Sequence, residues 1–234
     1  IDRPTREGGI VSIRTDITEL KTREMDLARQ AAMLSALSYA AAQLVGNPDW
    51  REAVDDLLAR LGEAAGVSRV VVFSAFQRSD GIWSQECCFR WCAPGVWDPG
   101  GGARAGDDTL AHDEEQWDWV ERHRAGETIQ ARVADLRGHL REKFQGQGIR
   151  SLVSVPILLQ GHWWGQISFE DCQTERRWTP VEIRVLETAA LLFAGVVERS
   201  RMDTELRESE QRFRGIAETL PIVITREGLG TILY

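Results

Sequence analysis

Ile149-Arg150-Ser151-Leu152-Val153-Ser154-Val155-Pro156-Ile157-Leu158-Leu159, then Gln160-Gly161, then His162-Trp163-Trp164-Gly165-Gln166-Ile167-Ser168-Phe169-Glu170-Asp171 is the stretch that decides the architecture. Ile149 to Leu159 reads as a long strand, Gln160-Gly161 as a turn, and His162 to Asp171 as the return strand of a hairpin. Upstream, Thr128 to Val133 reads as a short strand and Leu136 to Gln145 as a helix or helical turn. Further upstream, Val67 to Phe76 is apolar on both faces, as a strand covered on both sides would be. The turn Ser79-Asp80-Gly81 joins it to a second strand, Ile82 to Cys92, giving another hairpin. Between the hairpins, residues 93–108 hold five glycines and two prolines, a long mobile loop, and a helix follows near Glu114 to His123.

Helices bracket this core. From Leu20 to Val45, apolar or small residues recur at 20, 27, 31, 34, 41 and 45, close to an a/d seam, and Met33, Leu37, Ala40 and Leu44 form a second stripe beside it. Such a helix has more apolar surface than one neighbour can cover. Gly46-Asn47-Pro48 ends it, and Asp49 to Ala65 follows with Val54, Leu57, Leu58 and Leu61 inward. Pro180 opens the last helix, striped by Ile183, Leu186, Ala190, Phe193 and Val197. Beyond it, the acid-before-base pairs Asp203/Arg207, Glu208/Arg212 and Glu210/Arg214 extend a solvated helix. There Met202, Leu206, Phe213, Ile216 and Leu220 leave the earlier register, a shift that marks a domain boundary near 197–202. The order of elements, with a hairpin at each end, predicts an α+β sandwich: a mostly antiparallel central sheet covered by helices, with long connector helices at both ends.

Composition narrows the function. Apolar residues make up 43% of the 234 and charged residues 27%, enough to bury a core. Twenty-eight basic against 36 acidic side chains give a net charge of −8, which argues against nucleic acid or an acidic membrane as partner. The longest apolar run, Ala189 to Val197, falls far short of the roughly 20 residues a membrane span needs. The chain opens on Ile-Asp-Arg-Pro rather than on Met or a secretory leader, and is expected to be a segment of a longer protein. Cys87, Cys88, Cys92 and Cys172 are too few and too clustered for a disulfide frame and fit a reducing cytoplasm.

Residues 148–197 resemble the C-terminal half of a GAF domain: Gly148-Ile-Arg-Ser-Leu-Val-Ser-Val-Pro-Ile, Gly161-His-Trp-Trp-Gly-Gln-Ile-Ser-Phe-Glu-Asp, Arg177-Trp-Thr-Pro and the closing helix. Residues 48–92 resemble the first half of that domain. Gly9-Ile-Val-Ser-Ile-Arg-Thr-Asp-Ile-Thr-Glu-Leu-Lys resembles the last strand and exit motif of a PAS domain, and Glu208-Ser-Glu-Gln-Arg-Phe-Arg with Leu220-Pro221 the start of another. The resemblance implies a non-catalytic bacterial sensor segment divided as follows: residues 1–19 the end of a PAS domain, 20–46 a connector helix, 47–199 the GAF domain, and 200–234 a linker helix leading into a second PAS domain. It implies a cytoplasmic homodimer paired through its connector helices, binding a small molecule and driving an output such as a histidine kinase or diguanylate cyclase. Neither output signature is present in the sequence.

Two further readings stand beside that one. GAF domains also serve as free methionine sulfoxide reductases, whose nucleophilic Cys lies before the last hairpin, yet no cysteine occurs between Cys92 and Cys172 here. An empty domain serving as a dimerisation scaffold is the other. Bilin-binding members place a Cys beside a His, and no such pair exists in the sequence. The cyclic-nucleotide signature is represented only by fragments such as Lys143-Phe144.

Candidate site residues follow from chemistry and position. Nine tryptophans are a heavy load, and aromatic walls with few polar groups suit a planar ligand, although they can equally fill a core. The pocket is expected beneath the 93–108 loop, with Trp91, Trp117, Trp119 and Phe144 as walls and Ser154 and Gln166 as polar contacts. The dimer interface is expected at Leu27, Leu34, Leu37, Leu186, Phe193 and Val197. Cys88, Arg90 and Cys92 are expected on one strand face with Cys87 on the other. Cys88 and Cys92, about 13 Å apart along the strand, cannot hold one zinc. The sequence names no cofactor and no metal ligand set.

Overall fold

The computed structural model describes residues 17–44, 50–98 and 114–219, together with the short strand segments 2–4, 10–12, 108–109, 224–225 and 232–233. Strands β1 (Asp2–Pro4) and β2 (Ile10–Ser12) pair antiparallel, and helix α1 (Thr18–Leu44) follows. The expected strand at 9–17 is described only at Ile10–Ser12; the end of α1 at Gly46-Asn47-Pro48 and the centre of the 93–108 loop lie outside the described residues.

Next come α2 (Trp50–Ala65), β3 (Arg69–Gln77), β4 (Trp83–Cys92), β5 (Asp108–Thr109) and α3 (Glu114–Arg124). After β6 (Ile129–Arg132) and a single 3-10 turn, Val133–Asp135, lie α4 (Gly138–Gly146), β7 (Ser151–Leu159) and β8 (His162–Asp171). Helix α5 (Pro180–Thr219) runs to the two-residue strands β9 (Ile224–Thr225) and β10 (Ile232–Leu233). The central sheet has the order β5-β4-β3-β8-β7-β6 and is antiparallel at every junction. The expected α+β sandwich is the fold observed.

One sheet face is packed by α1, α2 and α5. Met33, Leu37 and Ala40 of α1, Val54, Leu57, Leu58 and Leu61 of α2, and Leu186, Ala190 and Phe193 of α5 meet Val70, Val72, Val153, Val155, Ile167 and Phe169 of the sheet. Each Val, Leu, Ile, Phe or Met among them stabilises the fold by about 1.5–3 kcal/mol on full burial. The start of α5 is fixed by a capping box, in which Thr179 N–H donates to Glu182 Oε2 (2.7 Å) and Glu182 N–H to Thr179 Oγ1 (3.3 Å). Arg176 donates to Glu182 (2.7 Å) and to the Ala65 carbonyl at the end of α2 (2.7 Å). Burial opposes ionisation of Glu182, but the Thr179 N–H and Arg176 outweigh it and hold the carboxyl below its usual range.

This packing corrects four of the expected interface residues. Leu37, Leu186, Phe193 and Val197 are buried in the chain's own core, covered by the sheet and neighbouring helices, so they have no surface left for a second copy. Leu27 and Leu34 are 65% and 53% exposed. The two stripes of α1 therefore part: the Met33–Leu37–Ala40 stripe faces the core and the a/d seam faces outward.

Candidate ligand-binding site

The opposite sheet face is built differently. Residues alternate across it, and the register brings Val71, Ser168 and Ser154 into one row and Phe73, Gln166 and Pro156 into the next. Above lie α3, the 3-10 turn and α4, with Trp119 against Phe144 at 5.7 Å and Val133, Ile149 and Leu152 packed beside them. This is a second, smaller apolar cluster. The floor between the clusters is rich in buried polar groups, including Gln85, Ser154, Gln166, Ser168 and Glu170.

Hydrogen bonding organises that floor. His123 of α3 is buried and reaches Ser154 Oγ at 2.9 Å through Nε2, while its Nδ1 lies 3.1 Å from the Glu127 carbonyl. A carbonyl only accepts, so Nδ1 carries the hydrogen and Nε2 accepts from the serine hydroxyl. Burial drives the imidazole pKa down to about 4, and the ring is neutral at physiological pH. Gln166 Nε2 donates to Gln85 Oε1 at 2.6 Å. Arg69 donates to Glu170 (2.8 Å) and to the carbonyls of Gln147 (3.0 Å) and Trp97 (3.4 Å), tying β3 to the loops that follow α4 and β4. Burial raises the Glu170 pKa above its usual value, and the Arg69 charge beside it works in the other direction. Arg90 donates to Asp98 at 2.7 Å.

Several buried polar atoms on this floor have no partner among the described residues: Gln166 Oε1, Trp163 Nε1 and Arg90 Nε. The Trp163 ring stands 5.2 Å from that of Trp83 and 6.0 Å from His123, forming an aromatic wall at one end of the floor. Gly165 allows this arrangement, since a Cβ there would stand 2.0 Å from the Phe73 carbonyl oxygen. An irregularity at Ile157/Leu158 places Trp163 and Gln166 on one face although they are three residues apart.

Of the expected site residues, Ser154 and Gln166 lie on this floor, and Trp119 and Phe144 pack on the same side of the sheet against Val133, Ile149 and Leu152. Trp117 is 42% exposed on the outer side of α3. Trp91 is elsewhere: it packs with the core cluster on the other sheet face, where a Cβ on Gly62 of α2 would come within 2.1 Å of its ring. The cysteine facing also changes. A bulge between Val72 and Phe73 inserts Cys88 into β4, so Cys87 (opposite Phe73), Arg90 (opposite Val71) and Cys92 (opposite Arg69) share the ligand-side face. Sequence reasoning missed His123, Trp163, Gln85 and Arg90 as site groups. Correct registration of the last hairpin would have found Trp163; nothing local distinguishes His123 from the other histidines.

Comparison with known proteins agrees with this architecture. The GAF domain family profile matches residues 49–197. The methanogenesis regulatory histidine kinase FilI of Methanothrix harundinacea is 32% identical over 202 residues, covering 85% of this chain and 22% of that protein. An uncharacterized protein of Azorhizobium caulinodans is 31% identical over 187 residues, 76% of this chain and 24% of that one. The circadian input-output histidine kinase CikA of Synechococcus elongatus is 28% identical over 104 residues, 42% of this chain and 13% of the kinase. The chain thus spans less than a quarter of the length of each relative. Among solved structures, the phycocyanobilin-bound GAF domain of a cyanobacterial phytochrome superposes with a TM-score of 0.61 at 14% identity, covering 73% of this chain and 96% of that one. The cyanobacteriochrome TePixJ GAF domain gives a TM-score of 0.52 at 19% identity, covering 68% and 96%. On its matched residues and its fold, the chain belongs to the GAF domain family.

Proposed function

We propose that this chain is the sensory and signal-relay segment of a larger cytoplasmic signalling protein, in which a small molecule held on the polar sheet face biases the packing of α1 and α5. The observation that supports this is the contrast between the two faces. One is mainly apolar and closed by three helices, although Trp178 Nε1 is buried there without a partner; the other collects the buried polar side chains Gln85, Ser154, Gln166, Ser168 and Glu170 and three unpartnered hydrogen-bonding atoms, with the Trp119–Phe144 pair on the same side of the sheet. A group buried without a partner costs about 1–3 kcal/mol, a cost that a ligand can remove. The relatives that are named histidine kinases support a kinase output outside this chain.

The route outward runs through β6. Thr128, one residue beyond the Glu127 carbonyl that His123 contacts, donates to Glu187 of α5 at 2.7 Å. Residues 1–19 are assigned to the end of a PAS domain, 20–46 to a connector helix, 47–199 to the GAF domain, and 200–234 to a linker helix and the start of a following PAS domain. The homodimer pairs through outward stripes, Leu20, Leu27 and Leu34 on α1 and Leu191, Met202, Leu206 and Phe213 on α5, all exposed. On α5 these lie 11, 15 and 22 residues after Leu191, each close to a whole number of turns. The Cys-His pair of bilin-binding members is absent from the sequence, so the ligand is not a bilin attached through such a pair.

Native mass spectrometry of the freshly purified chain tests occupancy. The expected species is a dimer carrying up to one small molecule per protomer. A polypeptide mass alone, unchanged after incubation with cell extract, supports the empty scaffold instead.

A further inference from the structure

The unpartnered atoms on the sheet face specify a ligand chemistry. Following the register from the Val71–Ser168 row outward, the first is Arg90 Nε on β4, opposite Val71. The second is Gln166 Oε1, in the Phe73 row, and the third is Trp163 Nε1, nearer the β7–β8 turn. In hydrogen-bonding terms the order is donor, acceptor, donor. Gln166 is only 7% exposed, and its amide nitrogen is already committed to Gln85, so its oxygen is the group that a bound molecule has to satisfy.

Charge and shape narrow the class further. Arg69 is matched by Glu170 and Arg90 by Asp98, so the described residues offer this face no net charge. The His123 ring is held by Ser154 and the Glu127 carbonyl. The tilted Trp83–Trp163 pair presents flat apolar surface at the same end.

We infer that the site takes a neutral planar heterocycle with a cyclic imide edge, –CO–NH–CO–, whose N–H is accepted by Gln166 and whose carbonyls accept from Trp163 and Arg90. This rests on the reading of the polar face as a ligand site. Pyrimidinedione, xanthine and isoalloxazine rings all present that edge.

Isothermal titration of the full chain with lumiflavin and 3-methyllumiflavin tests it, since methylation removes the imide hydrogen and leaves the rings unchanged. The expected result is saturable lumiflavin binding, weakened at least tenfold by methylation. Gln166→Leu is expected to abolish that difference, and Trp163→Phe to weaken lumiflavin binding severalfold, with circular dichroism melts showing that both variants fold. Equal affinity for the two flavins, or discrimination that survives in Gln166→Leu, overturns the imide assignment. Failure to bind lumiflavin or uracil, while extraction of the purified chain yields a bound molecule without an imide, also overturns the class but leaves the ligand-site reading standing. Failure to bind either probe together with an empty extract overturns both.

Discussion

His123 shows how a single side chain ties chemistry to stability at this site. Its folded pKa of about 4 lies below the unfolded value of 6.5, so between those values the unfolded chain binds more protons than the folded one. Stability is therefore fully present above pH 6.5, declines as the pH falls, and has lost the whole contribution below about 4. The separation corresponds to something on the order of 3 kcal/mol. His123→Gln keeps a partner for Ser154 but does not titrate, and its melting temperature is expected to fall less than the native chain's between pH 7 and 4.5; parallel curves would show that other groups govern acid sensitivity. Trp91 is the contrasting case. Half-buried against Gly62 at the helix-side core, it is expected to cost about 3 kcal/mol on replacement by Ala and to leave ligand affinity within about twofold, as measured by denaturant unfolding and titration.

At the scale of elements, α1 divides its apolar residues between two masters. Leu27→Glu with Leu34→Glu places charge on the outward seam and is expected to raise the dimer dissociation constant more than about a hundredfold while the fold persists, as sedimentation velocity would show. Leu186→Glu or Phe193→Glu instead puts an unpaired charge in the core and is expected to abolish folding. Thr128→Val removes the donor to Glu187 and is expected to cost about 1 kcal/mol. Much of this was legible in the chain itself. The hairpin from Ile149 to Asp171, the inward stripe of α2 and the helix opened by Pro180 announce themselves through turn residues and period, because local chemistry sets them. What was not legible depends on register. The bulge that inserts Cys88 turns Cys87 toward the ligand side, and the irregularity near Gly165 brings Trp163 beside Gln166; both are two-strand properties that one strand's residues do not encode. The same holds for the interface. Sequence period identifies two stripes on α1, and only the packed sheet decides which one is consumed by the core.

Across the whole molecule, the proposed ligand face and the helices α1 and α5 lie on opposite sides of one sheet, linked at the β6 edge by the Thr128–Glu187 bond. A ligand acts at a distance only if it binds two arrangements of these helices unequally. The direct test is amide hydrogen exchange, comparing the as-purified chain with the double variant Trp163→Phe/Gln166→Leu, which alters the proposed ligand face and keeps its shape. Altered protection is expected in the start of α1 and in α5 beyond Val197, far from both substitutions, as well as on the sheet. Differences confined to residues 83–171, with α1 and α5 exchanging identically in the two proteins, would contradict it.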